Sequence, residues 1–384
     1  MTVAEYHHFC FVSDQLVPNY LPVLEEELRA SKVTLAVTGK MLPKAQFLQK
    51  VLESHNIETE QLLLGKDSSA FDQLQDMIIQ WLEENEKDNV ILNLTGGTKP
   101  MAITAQEAFR MMGKPIFYVD IQTDNVWWLD SNKNANHWEI LCQLRHPIDL
   151  KTYLKLYGCD VISYKNPSPL LQWRTIAELL AENVLKWQQG IVSLTTHAKQ
   201  EKSLHFMQDC NQKETKDLVE VLKLNNVIQC KGNTLAFTSD AAKVFMAGGW
   251  LEYYIYNQIT NRIPNKKNVN RSYLNARIID SKKMTNEFDV LTVFRGNLYV
   301  FECKSGYVFT HENANTAIYK LDALIDKIGG LRSKGILVSC SALSSDNIRR
   351  ADSYGIQYIG PEDLPPHKLS GKLLNILHWN KERG

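Results

Sequence analysis

Along the first 150 residues, short apolar runs alternate with longer stretches whose apolar positions recur at helical spacing. Strands are predicted over 8–14 (HFCFVSD), 32–39 (KVTLAVTG), 57–65 (IETEQLLLG) and 89–97 (NVILNLTGG). Helices are predicted over 16–30, 41–55, 70–86 and 98–113, the last with Pro100 tolerated in its first turn. Two further strands, 115–124 and 125–130, read as a hairpin. Apolar strands alternating with helices predict a mainly parallel sheet with helices on both faces, a Rossmann-like α/β domain over 1–150.

The pattern changes at about 150. Helices are expected over 171–189 and 213–228, and a hairpin over 230–240 turning near Gly232–Asn233. Helices plus a hairpin resemble a winged helix, so 151–246 reads as a helical connector. A third domain, 247–384, opens with a helical stretch (241–260). It continues with strands over 274–280, 286–295 and 298–306, with Gly296–Asn297 as the intervening turn. A helix over 313–330 ending at glycine, a strand over 335–342 and a helix over 344–355 follow. The tail to Gly384 carries no pattern that places it.

The bulk properties add little and exclude some classes. No apolar run approaches membrane-spanning length, and the N-terminus lacks a basic segment followed by an apolar core, so neither a membrane nor a secretory signal is expected. Seven cysteines are scattered without a CxxC pair, which points to a reducing cytoplasm and away from a zinc or disulfide framework. The formal net charge is zero, yet from Asn265 to Gly335 there are 12 Lys and Arg against 7 Asp and Glu. That local excess is either a solvated basic face or the footprint of an anionic substrate.

Candidate chemistry is concentrated in the predicted strand pair. Asp289 lies on the first strand. Glu302 and Lys304 lie two apart on the second, hence on one face. The turn folds Asp289 back towards Glu302, bringing two hard carboxylates to a place that suits Mg²⁺ or Mn²⁺, with the carbonyl of Cys303 as a further oxygen donor. Lys304 then stabilises charge on a phosphate or positions water; whether its pKa moves up or down is open at this stage. Glu252, on the helix preceded by Gly248–Gly249, is either an additional carboxylate of this site or a surface acid. Glu287 is open in the same way. The competing reading of Glu302 and Lys304 is a structural ion pair, against which stands the desolvation cost of burying them without purpose.

A second constellation sits at the carboxyl ends of the predicted parallel strands, where open α/β sheets bind ligands. These ends read Ser13-Asp14-Gln15, Thr38-Gly39-Lys40 and Thr95-Gly96-Gly97-Thr98-Lys99. The glycines let backbone approach a phosphate, the threonines carry hydroxyls, the following helix N-terminus favours an anion, and Lys99 adds charge. Neither G-x-G-x-x-G nor a P-loop is present, so neither a dinucleotide cofactor nor ATP follows. The alternative is a tight strand-to-helix turn without a ligand.

With these residues in view, the chain resembles a known family. LNLTGGTKPM resembles the signature loop of CARF domains, the CRISPR-associated Rossmann-fold sensors of cyclic oligoadenylates. GGWLEYYIY, NEFDVL and YVFECKSG resemble motifs of the PD-(D/E)XK nucleases fused to such domains in type III CRISPR antiviral defence. Phe288 stands where a Pro often precedes the first Asp. The resemblance implies a CARF domain over 1–150 and a restriction-endonuclease-like domain over 247–384. It implies a homodimer whose sensor domains share one cyclic tetra-adenylate as allosteric activator. It also implies a metal-dependent endonuclease acting on single-stranded RNA or DNA, or nicking duplex DNA. Carried over, Asp289, Glu302 and Lys304 are the catalytic core with Glu252 as accessory, and the Ser13, Thr38 and Thr95–Lys99 loops contact the activator. Three other readings compete: a ligand-controlled transcription regulator with an inactive C-terminal domain, a constitutive restriction or repair nuclease, and an oxidoreductase, the last disfavoured by the missing cofactor fingerprint.

Overall fold

The structure is a computed structural model describing residues 5–65, 71–129, 138–200, 204–207, 215–231, 234–261, 271–306 and 311–377. The chain forms two compact units, Met1–Asp160 with Ile328–Arg332, and Val161–Lys327 with Ser333–Gly384. The segment expected to be a connector over 151–246 is therefore divided. The helix Leu150–Leu156 and the residues to Asp160 belong to the first unit, and those from Val161 onward to the second.

The first unit is built on seven strands: β1 (Tyr6–Phe11), β2 (Ala30–Val37), β3 (Glu58–Leu63), β4 (Val90–Asn93), β5 (Ile116–Val119), β6 (Asn125–Leu129) and β7 (Glu139–Gln143). Their order is β3-β2-β1-β4-β5-β6-β7. The first five are parallel; β6 and β7 add an antiparallel edge. The chain runs outward from β1 through β2 to β3, then returns to the other side of β1 with β4. Strand order thus reverses between β1 and β4, where such sheets leave a crevice at the carboxyl ends. Phe9 and Phe11 share a core with Leu74, Ile78 and Trp81 of the helix Phe71–Glu84 and with Ala105 and Phe109 of the helix Lys99–Met111.

Two local expectations are corrected here. Residues 16–30 do not form one helix. A single turn, Val17–Tyr20, is followed by the 3-10 turns Pro22–Leu24 and Glu26–Leu28. Pro22 has no N–H with which to continue the α-helix, although the apolar positions Leu16, Val17, Leu21 and Val23 are buried as their spacing implies. The strand β7 had no sequence signal strong enough to be anticipated. Within this unit Arg332 is fully buried and donates to Asp124 at 3.0 Å, so its charge is removed from water only with a partner.

The second unit holds a six-stranded sheet of β8 (Asp160–Lys165), β12 (Ser272–Ile279), β13 (Thr285–Phe294), β14 (Asn297–Lys304), β15 (Ser333–Ser339) and β16 (Gln357–Ile359), in the order β16-β15-β14-β13-β12-β8. A small sheet of β9 (His205–Met207), β10 (Ile228–Lys231) and β11 (Thr234–Phe237), ordered β10-β11-β9, accompanies the helices Arg174–Glu182, Val184–Gln200 and Lys216–Leu224. Their buried residues, among them Trp187, Leu218 and Phe237, join the core that also holds Trp250, Val290 and Phe301. The helical segment and the sheet are thus one hydrophobic body. The turn expected at Gly232–Asn233 lies outside the described residues.

The β13–β14 turn is displaced by one residue from its expected place. Phe294 pairs with Asn297, leaving Arg295 and Gly296 as the two central residues with φ of 50° and 66°. A type I′ turn needs positive φ at both positions; Asn297 already belongs to the strand. The unpatterned tail supplies β16 and the helix Pro366–Ile376, whose Leu369, Leu373 and Ile376 complete the core. Among the described residues, no helix is long and apolar enough to cross a membrane.

Candidate active site and strand-end loops

The β13–β14 ladder runs from Phe294↔Asn297 to Val290↔Phe301 and stops there. The next pair would be Asp289 and Glu302. Instead of a ladder bond, the N–H of Cys303 donates to Asp289 Oδ2 at 2.7 Å. In a strand the N–H and C=O of one residue point to the same side. The Cys303 carbonyl therefore faces the opening between the strands, while Lys304 remains paired to β15. An opening in the middle of a sheet, not its edge, exposes the backbone oxygen.

Glu302 and Lys304 share a face, and the Lys304 ammonium donates to Glu302 Oε1 at 2.5 Å. Glu302 is 6% exposed, so this carboxylate has left water. Asp289 is pushed up to about 7, first by burial and then by the charges of Glu302 and Glu252. Lys304 is pulled down by burial but raised more by Glu302 and Asp289, so its net shift is upward. Lys304 is accordingly a fixed cation at neutral pH rather than a proton acceptor.

Glu252 joins this cluster from the helix Trp250–Thr260, which packs on β12, β13 and β14. A π turn, Phe245–Gly249, sets the helix entry. Gly248 has φ of 140°, a conformation reserved for glycine, and a Cβ there would lie 3.2 Å from Ser305 Oγ and 3.9 Å from Glu252 Oε1. Glu287, by contrast, is an exposed partner of Arg277 at 3.2 Å and stands apart from the cluster.

Three residues at this site escaped the sequence reading. Asn275 lies opposite Asp289 in the β12–β13 register, has φ of 47°, and donates from Nδ2 to Glu252 Oε2 at 2.6 Å. Lys320, on the helix His311–Gly329, brings Nζ to 3.9 Å from Glu302 Oε1. Ser305 is buried with its hydroxyl unpartnered among the described residues. An Asn inside an otherwise apolar strand was the available signal for the first; nothing in the sequence marks Lys320.

The donor set fits a hard divalent cation. Three carboxylates in a low-dielectric place with Asp289 already raised carry more negative charge than Lys304 offsets, and a cation relieves it. Among the described residues, no three His, Cys, Asp or Glu side chains are arranged to hold an ion by themselves. Two carboxylates and a backbone oxygen remain, a small protein set of the kind that suits Mg²⁺, which keeps much of its own water.

In the first unit, β1, β2 and β4 are neighbours, so their terminal loops are brought together. Asn19 and Asn93, both buried, fix the floor. Asn19 Nδ2 donates to the Phe11 carbonyl at 2.9 Å, Asn93 Nδ2 to the Pro18 carbonyl at 2.9 Å, and the Thr95 N–H to Asn93 Oδ1 at 3.0 Å. These amides were not singled out from sequence. Gly96 crosses β1 so closely that a Cβ would sit 2.2 Å from the Phe11 carbonyl oxygen and 3.7 Å from Ser13 Oγ, and Gly97 has φ of 85°. Thr98 caps the following helix, accepting from the Met101 N–H, and Thr95 Oγ1 accepts from the Val119 N–H. Both threonine oxygens thus shape the loop. Lys40, Gly39, Gly97, Thr98 and Lys99 are exposed; Asp14 is engaged by Lys44, and Gln15 keeps a buried Oε1 without a partner among the described residues.

Polar loops at the carboxyl ends of a parallel sheet in one unit and a partly buried Asp–Glu–Lys cluster in the other suit a sensor domain joined to a nuclease domain. The family model for the Card1 CARF domain matches residues 8–153, and that for the Card1-like endonuclease domain matches residues 239–378. The chain belongs to the ancillary nucleases of type III CRISPR systems that join a CARF domain to a PD-(D/E)XK nuclease domain. Among solved structures it is similar to Can2 from Sulfobacillus thermosulfidooxidans, solved in complex with cyclic tetra-adenylate: 28% identity, 98% of each chain covered, TM-score 0.80. Protein VC1899 from Vibrio cholerae shares the fold at 23% identity, 98% coverage of each chain and a TM-score of 0.84. A type III CRISPR defence DNA nuclease activated by cyclic oligoadenylate shares it at 17% identity and a TM-score of 0.60, over 98% of this chain and 52% of that one. No curated protein is similar enough in sequence to count as a match.

The raised Asp289 carboxyl yields a stability prediction. Its folded pKa, about 7, exceeds the ordinary carboxylate value, so the metal-free protein loses stability as pH rises from about 4 to about 7. Asn at position 289 removes that loss. Melting curves of metal-free Asp289→Asn should lie a few degrees above the parent at pH 8 and converge with it near pH 5. A variant that melts lower at pH 8 would contradict the charge crowding.

Asn275 yields a second. Asn275→Ala and Asn275→Gly should each lower metal-dependent cleavage about 10–100-fold, as loss of an orienting partner does. Glycine accepts the positive φ, so equal losses assign the effect to the amide; a fully active glycine variant would assign it to the backbone instead.

Proposed function

We propose that this protein is a metal-dependent endonuclease switched on by cyclic tetra-adenylate, cutting phosphodiester bonds of single-stranded RNA or DNA, or nicking duplex DNA, in type III CRISPR antiviral defence. The observation that carries the reading is the cluster of half-buried Asp289 and Lys304 around buried Glu302 at the interrupted β13–β14 ladder, with Asp289 raised to about 7. A structural ion pair would need one acid and one base; this place holds surplus acid.

Asp289, Glu302 and the Cys303 carbonyl are the donors that would hold Mg²⁺ or Mn²⁺. Such a cation, when bound, polarises a phosphate oxygen and makes water more acidic. Glu302 anchors the Lys304 ammonium, which is charged at neutral pH and stabilises negative charge on the scissile phosphate. Glu252, oriented by Asn275, adds a carboxylate that attracts the cation and orders water beside it.

The activator reading rests on the strand-end loops, and on the similarity to Can2, which was solved with cyclic tetra-adenylate. Ser13, Asp14 and Gln15, Thr38 to Lys40, and Thr95 to Lys99 supply hydroxyls, exposed backbone and two exposed lysines to a ligand made of phosphates and adenines. A homodimer follows from the ligand's symmetry: a cyclic ligand on a two-fold axis offers the same groups to two copies of one crevice. Gating requires that it bind one arrangement better than another.

The test is cleavage of labelled single-stranded RNA, single-stranded DNA and supercoiled plasmid with Mn²⁺ or Mg²⁺, with and without cyclic tetra-adenylate. Cutting only with the nucleotide is expected. Cutting without it would make the first unit something other than a switch, and no cutting under any condition would favour a ligand-controlled regulator. Glu302→Ala should abolish cleavage and leave nucleotide affinity within about twofold. Lys99→Ala should weaken nucleotide binding about tenfold, the worth of one partly exposed phosphate contact, while the saturated enzyme still cuts.

A further inference from the structure

Beside the candidate active site, the second unit carries a cleft of about 450 Å³ lined by Tyr319, Asp346, Arg349, Arg350, Ser353 and Tyr354. Its walls are the helix His311–Gly329 and one face of the helix Ser345–Ser353, with Tyr354 at the latter's end. Tyr319 and Tyr354 meet edge to face, ring centres 5.6 Å apart. Each ring is nevertheless 42% exposed. Arg350 stands 5.7 Å from the Tyr319 ring centre and donates to the Tyr319 hydroxyl, which holds that ring in place. Arg349 reaches into solvent, 74% exposed, paired to Asp346 within its own helix.

Two half-exposed aromatic rings held rigid by an arginine do not serve a core. They leave apolar ring surface in water; with the rings perpendicular and Arg350 over Tyr319, a further flat group can stack on only one of them at a time. The next residue to Tyr319 is Lys320, whose ammonium lies 3.9 Å from Glu302 Oε1. The helix that presents the cleft therefore also reaches the catalytic cluster, one residue away. Among the lining residues Arg349 and Arg350 outweigh Asp346, so the cleft favours an anion.

We propose that this cleft receives one unpaired nucleotide of the substrate strand, flanking the scissile phosphate: its base stacks on the open face of one of the two perpendicular tyrosine rings and abuts the other, and Arg349 meets its phosphate. Aromatic platforms lined by cations bind single-stranded nucleic acid without strict sequence preference, because every base has a π face. A base inside a duplex keeps both faces covered by its neighbours and cannot enter. The cleft therefore selects strands with unpaired bases over continuous duplex, and it does so for RNA and DNA alike. This assignment rests on the nuclease reading above and adds to it the residues that select an unpaired strand.

The experiment measures binding of short labelled oligonucleotides to the full chain carrying Glu302→Gln, with Mg²⁺ and saturating cyclic tetra-adenylate. The arms are single-stranded DNA, single-stranded RNA and DNA duplex. Adding Tyr354→Ala or Tyr319→Ala should weaken both single strands about tenfold and change duplex binding less than about twofold. Tyr354→Phe keeps the ring and should match the parent. In a series of strands each lacking one base, a single position should cost affinity in the parent and cost nothing in Tyr354→Ala. Unchanged affinity in both alanine variants, an equal loss for strand and duplex, or no position whose effect vanishes in the variant would overturn the cleft. Metal-dependent cleavage by the unsubstituted protein, scored separately, tells the two failures apart. A protein that cuts while the tyrosine variants bind normally loses only the cleft; one that neither cuts nor binds loses both readings.

Discussion

Crowded negative charge out of water is the constraint around which the second unit is arranged. Glu302 is buried in the middle of a sheet, and Asp289 and Glu252 approach it from two other elements. Left alone, such a cluster would be expelled or neutralised. Each carboxylate is instead held by a donor fixed in the fold: Cys303 N–H for Asp289, Asn275 for Glu252, Lys304 for Glu302. The interrupted β13–β14 ladder, the left-handed Asn275 and the π turn at Gly248 are the local irregularities that make room for these partners. Irregularities gathered at one place in an otherwise regular sheet are what a functional site imposes on its scaffold.

The first unit meets a milder version of the same problem. Its central strands are apolar until their last residue, then turn polar where the sheet ends. Asn93 closes a strand whose preceding residues are fully buried, and its amide ties the Thr95 loop to the segment after β1. Gly96 and Gly97 let that loop lie on the Phe11 backbone. The outcome is a floor tied by buried amides with exposed lysines and backbone above it, suited to an anionic ligand.

Much of this architecture was legible in the order of residues. Period and length distinguished strands from helices through most of the chain, because burial of one face or one stripe is a local demand written every two or every three to four residues. The strand-end loops and the Asp289, Glu302 and Lys304 triad were legible for a related reason. A polar residue inside an apolar strand conflicts with its surroundings and so announces itself. The run 16–30 misled because its apolar spacing suits a helix while Pro22 forbids one, and the β13–β14 turn slipped by one because dipeptide preference is weaker than register.

What the sequence determined by itself is most of the elements before the tail, the polar strand ends and the identity of the acidic and basic pair on β14. Only the tertiary structure decided the rest: that β8 and β16 flank one sheet, that Asn275 faces Glu252, that Lys320 reaches Glu302, and that Tyr319 and Tyr354 open on one cleft. It also decided that Lys304 stays charged. Each of these depends on residues far apart in the chain, and on the balance between desolvation and charge at the place where they meet. Neither has a period along the sequence.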